Sequence, residues 1–273
     1  MDTEERALLN AIIAHPDEDT PRLMYADWLQ EHDRPERAEY IRLSIQLANL
    51  CYGDPNFEAE EQRLLEQRWP LVNRFHKRWE REFATAFPPD ESVSFVFNRG
   101  FIEYVSCSVP YLLDNAEQLF ARAPIRWLRP SVPMATVGLL RQSEWFPRLH
   151  GLQMVNPREI HILLEEPVLP IRAFNFSYRG MSGMSARPYQ WEPIAQRLAE
   201  HSGLKALKYI DLERCHIGDA GGLALADSPH LDPSILNLLN SGLSSEVQQA
   251  LRNRYGPRVW LDRVDRNGSL RGF

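Results

Sequence analysis

The side chains best suited to metal or nucleophilic chemistry are widely separated along this chain. The three cysteines, Cys51, Cys107 and Cys215, stand far apart, and the eight histidines are equally dispersed. Cys215 is followed directly by His216, whereas the paired ligands of structural zinc sites are usually separated by two or more residues. We therefore expect no metal site, no cofactor and no disulfide framework. Cys107 and Cys215 are expected to be buried as small apolar residues.

An acidic string, Asp17-Glu18-Asp19, is the second feature that could bind a ligand, in this case a cation. A calcium loop needs alternating oxygen ligands, a glycine and a terminal glutamate, and this string has none of that pattern. Asp19 or Thr20 followed by Pro21 is instead typical of a helix start. We predict that these acids cap the helix and match its dipole.

Motifs of established enzyme mechanisms are the third kind of feature that could indicate chemistry. The sequence has no G-x-S-x-G nucleophile elbow, no phosphate-binding loop, no H-E-x-x-H and no paired CxxC. We therefore predict a protein that is not an enzyme and assign no catalytic residues. An enzyme whose site is assembled from loops stays open as an alternative.

The first 90 residues are predicted to be mainly helical, so helices must position any functional side chains in this region. Apolar residues recur at helical spacing over residues 3–14, over the segment that follows Asp19, and again after Pro35. Residues 58–84 are rich in helix formers and aromatic residues, and Pro70 is expected to kink or split that helix. Asp27 lies mid-helix, and we predict that it is buried and paired with Arg42 of the third helix.

One stretch of this helical region is similar to a known family. Residues 8–48, LLNAIIAHPDEDTPRLMYADWLQEHDRPERAEYIRLSIQLA, resemble the bacterial repeat-companion domain, with YADWLQEH and RAEYIRL in that family's order and spacing. The family supplies no catalytic residues. The resemblance implies a helical domain over residues 1–90 and a region of repeats after it.

A repeated pattern does follow. Residues 207–226, LKYIDLERCHIGDAGGLALA, resemble a leucine-rich repeat of the ribonuclease-inhibitor type. The same alternation predicts parallel strands spaced 22 to 36 residues apart, each followed by a helix. These strands are expected at 104–107, 127–130, 151–154, 173–176, 209–212 and 235–238. The inward residues, expected to be nearly inaccessible, are Leu128, Leu152, Phe174, Phe176, Ile210, Leu212, Leu236 and Leu238. Val259, Trp260 and Leu261 are expected to form a closing strand.

The predicted fold class is α/β. We expect the helical domain to pack on a short, irregular leucine-rich-repeat solenoid over residues 91–262, with a curved parallel sheet and outer helices. The longest step between strands contains an insertion at 179–191, and residues 263–273 are expected to form a flexible tail.

The residues that alternate with the inward positions face the concave side of such a sheet. Many are aromatic or charged, which are side-chain types common at interface hot spots. The predicted protein-binding residues are Tyr104, Trp127, Arg129, Gln153, Asn175, Tyr209, Asp211 and Glu213, and Ser106, Ser177 and Asn237 share their face. The alternative is a merely solvated sheet face that the helical domain partly covers.

The distribution of charged residues indicates which classes of partner this chain could bind. Residues 1–90 contain 11 Lys and Arg against 19 Asp and Glu, and the whole chain has a net charge of −6. An acidic surface repels phosphate backbones, so general nucleic-acid binding is not expected. We expect no membrane span, because no run of about 18 apolar residues exists. The acidic N-terminus, MDTEERALLN, predicts a cytoplasmic protein without an export signal.

These observations favour a non-enzymatic scaffold or adaptor that binds a protein partner of unknown identity through its repeat surface. A regulatory or sensor subunit of a larger bacterial complex is the first alternative. The second is the enzyme with an unrecognised site.

Overall fold

Helices dominate the start of the chain in the structure, a computed structural model that describes residues 3–50, 55–131, 136–153, 157–165, 168–176 and 191–262. Their bounds are α1 Thr3–Ala14, α2 Thr20–Glu31, α3 Pro35–Ala48, α4 Phe57–Leu71 and α5 Lys77–Ala84. Between α4 and α5 the backbone is π-helical over Val72–His76. The interruption begins two residues after Pro70, which lacks the amide N–H that a regular α-helix requires.

Strands and helices alternate over the rest of the described chain. The strands are β1 Ser94–Asn98, β2 Phe101–Cys107, β3 Trp127–Pro130, β4 Gly151–Gln153, β5 Ala173–Asn175, β6 Tyr209–Asp211, β7 Ile235–Asn237 and β8 Val259–Trp260. The helices between them are α6 Val109–Arg122, α7 Val137–Gln142, α8 Pro157–Leu163, α9 Glu192–Glu200, α10 Gly218–Asp227 and α11 Ser245–Tyr255. The strands form one sheet in chain order, and those from β4 to β8 are parallel. The α/β fold class is confirmed.

The register of the parallel strands agrees with the predicted inward positions. Leu152 pairs with Phe174, Phe174 with Ile210, and Ile210 with Leu236. All four side chains are fully buried, as are the predicted inward residues Leu128, Phe176, Leu212 and Leu238. One-residue errors in register would have moved these side chains to the opposite face. The alternation of apolar residues therefore identified both the strands and their inward face.

An antiparallel hairpin that we did not predict precedes the parallel strands. β1 pairs with β2, and Asn98 opposes Phe101 across a two-residue turn. Both turn residues, Arg99 and Gly100, have positive φ angles, of 44° and 84°. Such a turn matches the right-handed twist of two antiparallel strands. β1 was missed because Pro88, Pro89 and the charged residues before it resemble a linker.

The chain divides into two compact units, which we call the first unit (residues 3–127) and the second unit (residues 128–262). The first unit extends past the predicted boundary at residue 90 and includes β1, β2 and α6. Its helical core contains Ile12, Ala26, Leu29 and Ile41.

The predicted pair of Asp27 and Arg42 forms in this unit, with 2.8 Å between Oδ1 and Nη2. The prediction that Asp27 is buried is wrong, because its side chain is 68% exposed. Asp27 follows the buried Ala26 and precedes the buried Trp28, yet it points away from the core that α1 and α3 complete.

No helix in the described ranges is both long and apolar enough to span a bilayer. Several predictions fall outside the described residues: those on Cys51, on Ser177, on residues 179–190 of the insertion, and on the 263–273 tail.

Candidate functional site

The predicted protein-binding residues differ in exposure. Arg129 is exposed, and Tyr104, Gln153 and Asn175 are partly exposed. The remaining four, Trp127, Tyr209, Asp211 and Glu213, are buried, which corrects the expectation that all eight face solvent. Asn237, on the same predicted face, is also buried.

Polar contacts within the second unit explain part of this burial. The Tyr209 hydroxyl donates to Asp211 at 3.0 Å, and the Asn237 side-chain amide donates to the other oxygen of Asp211 at 3.0 Å. The backbone N–H of Glu213 donates to Asp211 as well. A buried carboxylate needs such donors. Asp211 therefore links β6 to β7, and its hydrogen bonds give it a structural role.

Trp127 is buried for a different reason. Its ring stacks on that of Tyr104, with 5.0 Å between ring centres and an interplanar angle of 8°. Trp127 is 2% exposed, so it belongs to the interior of the first unit. Large buried aromatic residues dominate the packing energy of a core, so the burial of Trp127 favours a structural role.

A cluster of buried charges occupies the first unit, and sequence reasoning missed it. We call Arg22, Arg99, Arg126 and Glu103 the arginine cluster. Glu103, on β2, is fully buried and accepts hydrogen bonds from all three guanidinium groups. Arg99 lies 3.1 Å from one Glu103 oxygen, and Arg126 lies 3.2 Å from the other.

The acidic string is part of the same network. Asp19 precedes α2 but makes no side-chain cap there; its carboxylate accepts from Arg99 at 3.3 Å and from Asn49 at 3.0 Å. Asp17 pairs with Arg126. The predicted capping role is therefore wrong for Asp19, because the guanidinium group of a distant hairpin competes successfully for its carboxylate. The signal that could have revealed the cluster is Glu103, an acid inside an apolar strand.

The arginine cluster is closed to solvent, which favours a structural role. Its arginines also donate to backbone carbonyls of the loop before α2, with Arg22 and Arg99 both bonding the carbonyl of Pro16. The cluster thus ties α2, the loop before it and the β1–β2 hairpin to one carboxylate.

An open pocket of about 550 Å³ lies elsewhere in the first unit; we call it the aromatic pocket. Helices α1 to α3 and α5, the hairpin and the end of α6 contribute its walls. Six aromatic residues line it: Tyr25, Phe75, Trp79, Phe83, Phe97 and Phe101. Its charged lining residues are Asp33, Arg34, Glu36, Arg37, Arg78, Glu82 and Arg122. The pocket therefore combines an apolar floor with charges of both signs.

Arg37, in the first turn of α3, is packed among the rings of this pocket. Its guanidinium carbon lies 4.5 Å from the centre of the Trp79 ring and 4.8 Å from that of Phe97. Nη2 donates to the carbonyl of Gly100 at 2.6 Å. Loss of hydration lowers the pKa of Arg37 to about 10, which still leaves the guanidinium charged at neutral pH.

The hairpin turn connects the aromatic pocket to the arginine cluster. Arg99 belongs to the cluster, and the next residue, Gly100, accepts the hydrogen bond from Arg37. A side chain at Gly100 would have its Cβ 2.6 Å from Cγ1 of Ile41 and 2.8 Å from the Ile41 backbone. Only glycine permits both this close approach and the positive φ angle.

Neither described cysteine has the surroundings of a nucleophile. Burial raises the pKa of the Cys107 thiol to about 12 and also raises the pKa of Cys215, whose Sγ lies 3.4 Å from the carbonyl oxygen of Phe176. Both are buried, as predicted. Within the described ranges, no three His, Cys, Asp or Glu side chains converge in a group able to hold a metal ion.

Comparisons of the chain with models of known protein families, with curated proteins and with solved structures found no match.

Proposed function

We propose that this chain is a non-enzymatic protein-interaction scaffold and that a partner binds in the aromatic pocket of the first unit. The observation that carries the proposal is the lining of that pocket. Aromatic rings and arginines are the side chains that contribute most binding energy at protein interfaces, and here they surround a cavity large enough for several side chains.

The proposal moves the main binding site away from the sheet. Four of the eight predicted residues are buried, and Asp211 already accepts three hydrogen bonds within the second unit. A partner would have to displace those contacts before it could bind there. At the pocket, Arg122 and Arg78 are exposed, and the ion pair of Arg78 with Glu82 is itself exposed to solvent.

The repeat assignment remains part of the proposal. We infer that the first unit contains a repeat-companion domain and that the following strands form a degenerate leucine-rich-repeat solenoid. The parallel pairing of Phe174, Ile210 and Leu236 supports this inference, because equivalent positions of successive repeats lie side by side in such a solenoid.

Charge reversal at the rim of the pocket tests the site. Arg122 is exposed at the end of α6 and lines the pocket, whereas Arg6 is exposed on α1 and does not line it. The wild-type chain and the two variants, R122E and R6E, would each be used to capture a partner from the native cell. The partner would then be purified, and its affinity for each chain measured by calorimetry.

We expect a stoichiometric protein partner that binds the wild type and R6E equally and binds R122E at least about tenfold more weakly. Equal affinity of all three chains would exclude the pocket. A small molecule that copurifies in place of a protein would contradict the scaffold proposal and favour an enzyme.

A further inference from the structure

One guanidinium in the first unit differs from its buried neighbours in how its charge is compensated. Arg22, Arg99 and Arg126 each form an ion pair with Glu103. Among the residues that the structure describes, no carboxylate lies within 4 Å of the guanidinium of Arg37. Ring faces and the carbonyl of Gly100 are its contacts, and the carboxylate of Glu82 acts on its charge from beyond that distance.

One nitrogen of Arg37 is buried without a hydrogen-bond partner. Nη2 bonds Gly100, but Nη1 has no acceptor among the described residues. Buried nitrogens without an acceptor also occur in the arginine cluster, where Glu103 already compensates the charge. A buried donor without an acceptor is unfavourable, and for a charged group the cost is larger. An acceptor brought by a ligand would remove that cost, and a carboxylate would also neutralise the cation in surroundings that screen charge weakly.

We infer that the aromatic pocket binds a peptide segment in which an acidic side chain pairs with Arg37 and a neighbouring apolar side chain packs on the aromatic floor. This inference rests on the proposed function and specifies the ligand for the same site. It makes Arg37 the residue that selects the charge of the ligand.

The other charges of the pocket favour a single carboxylate over a polyanion. Arg34 is already paired with Glu5 at 2.9 Å, and Arg78 with Glu82 at 2.7 Å. The acids Asp33 and Glu36 also line the pocket. They would repel a chain of phosphates, whereas one carboxylate beside apolar groups can avoid them.

The floor of the pocket supplies the second half of the recognition. Trp79 stacks on Phe75 with 5.5 Å between ring centres. Phe97, which belongs to β1, lies beside Arg37. Flat rings of this kind accept aromatic or branched apolar side chains. A ligand that contains both an acid and such a residue would use both features at once.

The experiment uses the full chain and two pairs of capped pentapeptides. The first pair is Ser-Leu-Phe-Glu-Ser and Ser-Leu-Phe-Gln-Ser; the second pair reverses the order to test direction. Binding would be followed at millimolar peptide by calorimetry and by tryptophan fluorescence, with the Trp79→Phe variant assigning the fluorescence change. Octauridylate serves as the polyanion probe.

We expect the wild type to bind the Glu peptide of at least one pair about tenfold or more tightly than its Gln counterpart. In R37M this preference should vanish, and in R37K, which keeps the charge, part of it should remain. Circular dichroism would establish that both variants are folded, and R6E is the matched control that should behave as wild type.

Three outcomes would overturn the inference: no detectable binding of either Glu peptide, equal binding of the Glu and Gln peptides, or an unchanged preference in R37M. Tighter binding of octauridylate than of both Glu peptides would overturn it in favour of a nucleic-acid ligand. These outcomes differ from failure of the proposed function, because loss of partner affinity in R122E can stand even if the peptides show no charge preference.

Discussion

The arginine cluster and the aromatic pocket both contain buried arginine side chains but surround them differently. In the cluster, three guanidiniums surround one carboxylate and are closed to solvent. In the pocket, Arg37 has aromatic rings for neighbours and forms no ion pair among the described residues. Both regions contain buried guanidinium nitrogens without an acceptor. In the cluster a buried carboxylate already compensates the guanidinium charges, whereas the uncompensated charge of Arg37 leaves interaction energy for a ligand.

The two regions meet at the hairpin turn, where Arg99 and Gly100 are consecutive residues with positive φ angles. We therefore expect the cluster to help hold in place the carbonyl that accepts from Arg37. Binding sites gain affinity when such supporting contacts fix their geometry before the ligand arrives. The following predictions test this division of roles between cluster and pocket.

The largest effect is expected in the cluster. Glu103→Gln removes the charge that compensates three buried arginines, and we expect the free energy of unfolding to fall by roughly 3–5 kcal/mol. Chemical denaturation would measure the loss. Glu66→Gln, at an exposed position on α4, is the control and should change stability by less than about 0.5 kcal/mol. A stable E103Q variant would show that the cluster does not hold the first unit together.

A smaller loss is expected at the turn between the two regions. Gly100→Ala forces a Cβ against Ile41 at a positive φ angle, so we expect stability to fall by roughly 2–4 kcal/mol. Gly138→Ala, on α7, is the matched control. Its Cβ would meet no atom within 4 Å, and helix propensity predicts a neutral or slightly stabilising change. Equal melting temperatures of the two variants would contradict the close packing at Gly100.

The contrast between the regions is sharpest when equivalent arginines are changed to methionine. R22M breaks a buried ion pair and should destabilise the fold strongly. R37M breaks no ion pair, and the unsatisfied donor that it removes offsets the lost hydrogen bond and ring contacts, so stability should change by less than about 1 kcal/mol. Urea unfolding of both variants measures the difference. Similar losses in the two variants would remove the distinction between cluster and pocket.

The smallest effect is expected for the exposed pair of Asp27 and Arg42. Because this pair is largely hydrated, a double-mutant cycle with alanine should give a coupling energy between 0 and about 1 kcal/mol. Added salt should reduce that energy further, since screening acts on exposed charges. A coupling of several kcal/mol that resists salt would place the pair with the buried network.

Local patterns in the sequence were enough to predict most of the elements. The alternation of apolar residues located the strands from β3 to β8 and their inward face, as Ile210 and Leu236 show. The helical periods placed α1 to α3 close to their observed bounds, and a helix follows each of the predicted repeat strands, as expected. These features repeat over two or 3.6 residues, so neighbours along the chain carry the information.

Only the tertiary structure decided which polar residues are covered and with which partners they pair. Glu103 meets Arg22 across 81 positions of the chain, and Arg126 meets Asp17 across 109. The same alternation that correctly placed Ile210 inward gave no indication that Tyr209 and Asp211 are buried on the opposite face. The two-residue alternation of a β-strand assigns each residue to one face. Whether that face is covered depends on segments that are distant in the sequence. The physical reason is that burial and charge pairing are properties of non-local contacts, whereas strand and helix formation are largely encoded by adjacent residues.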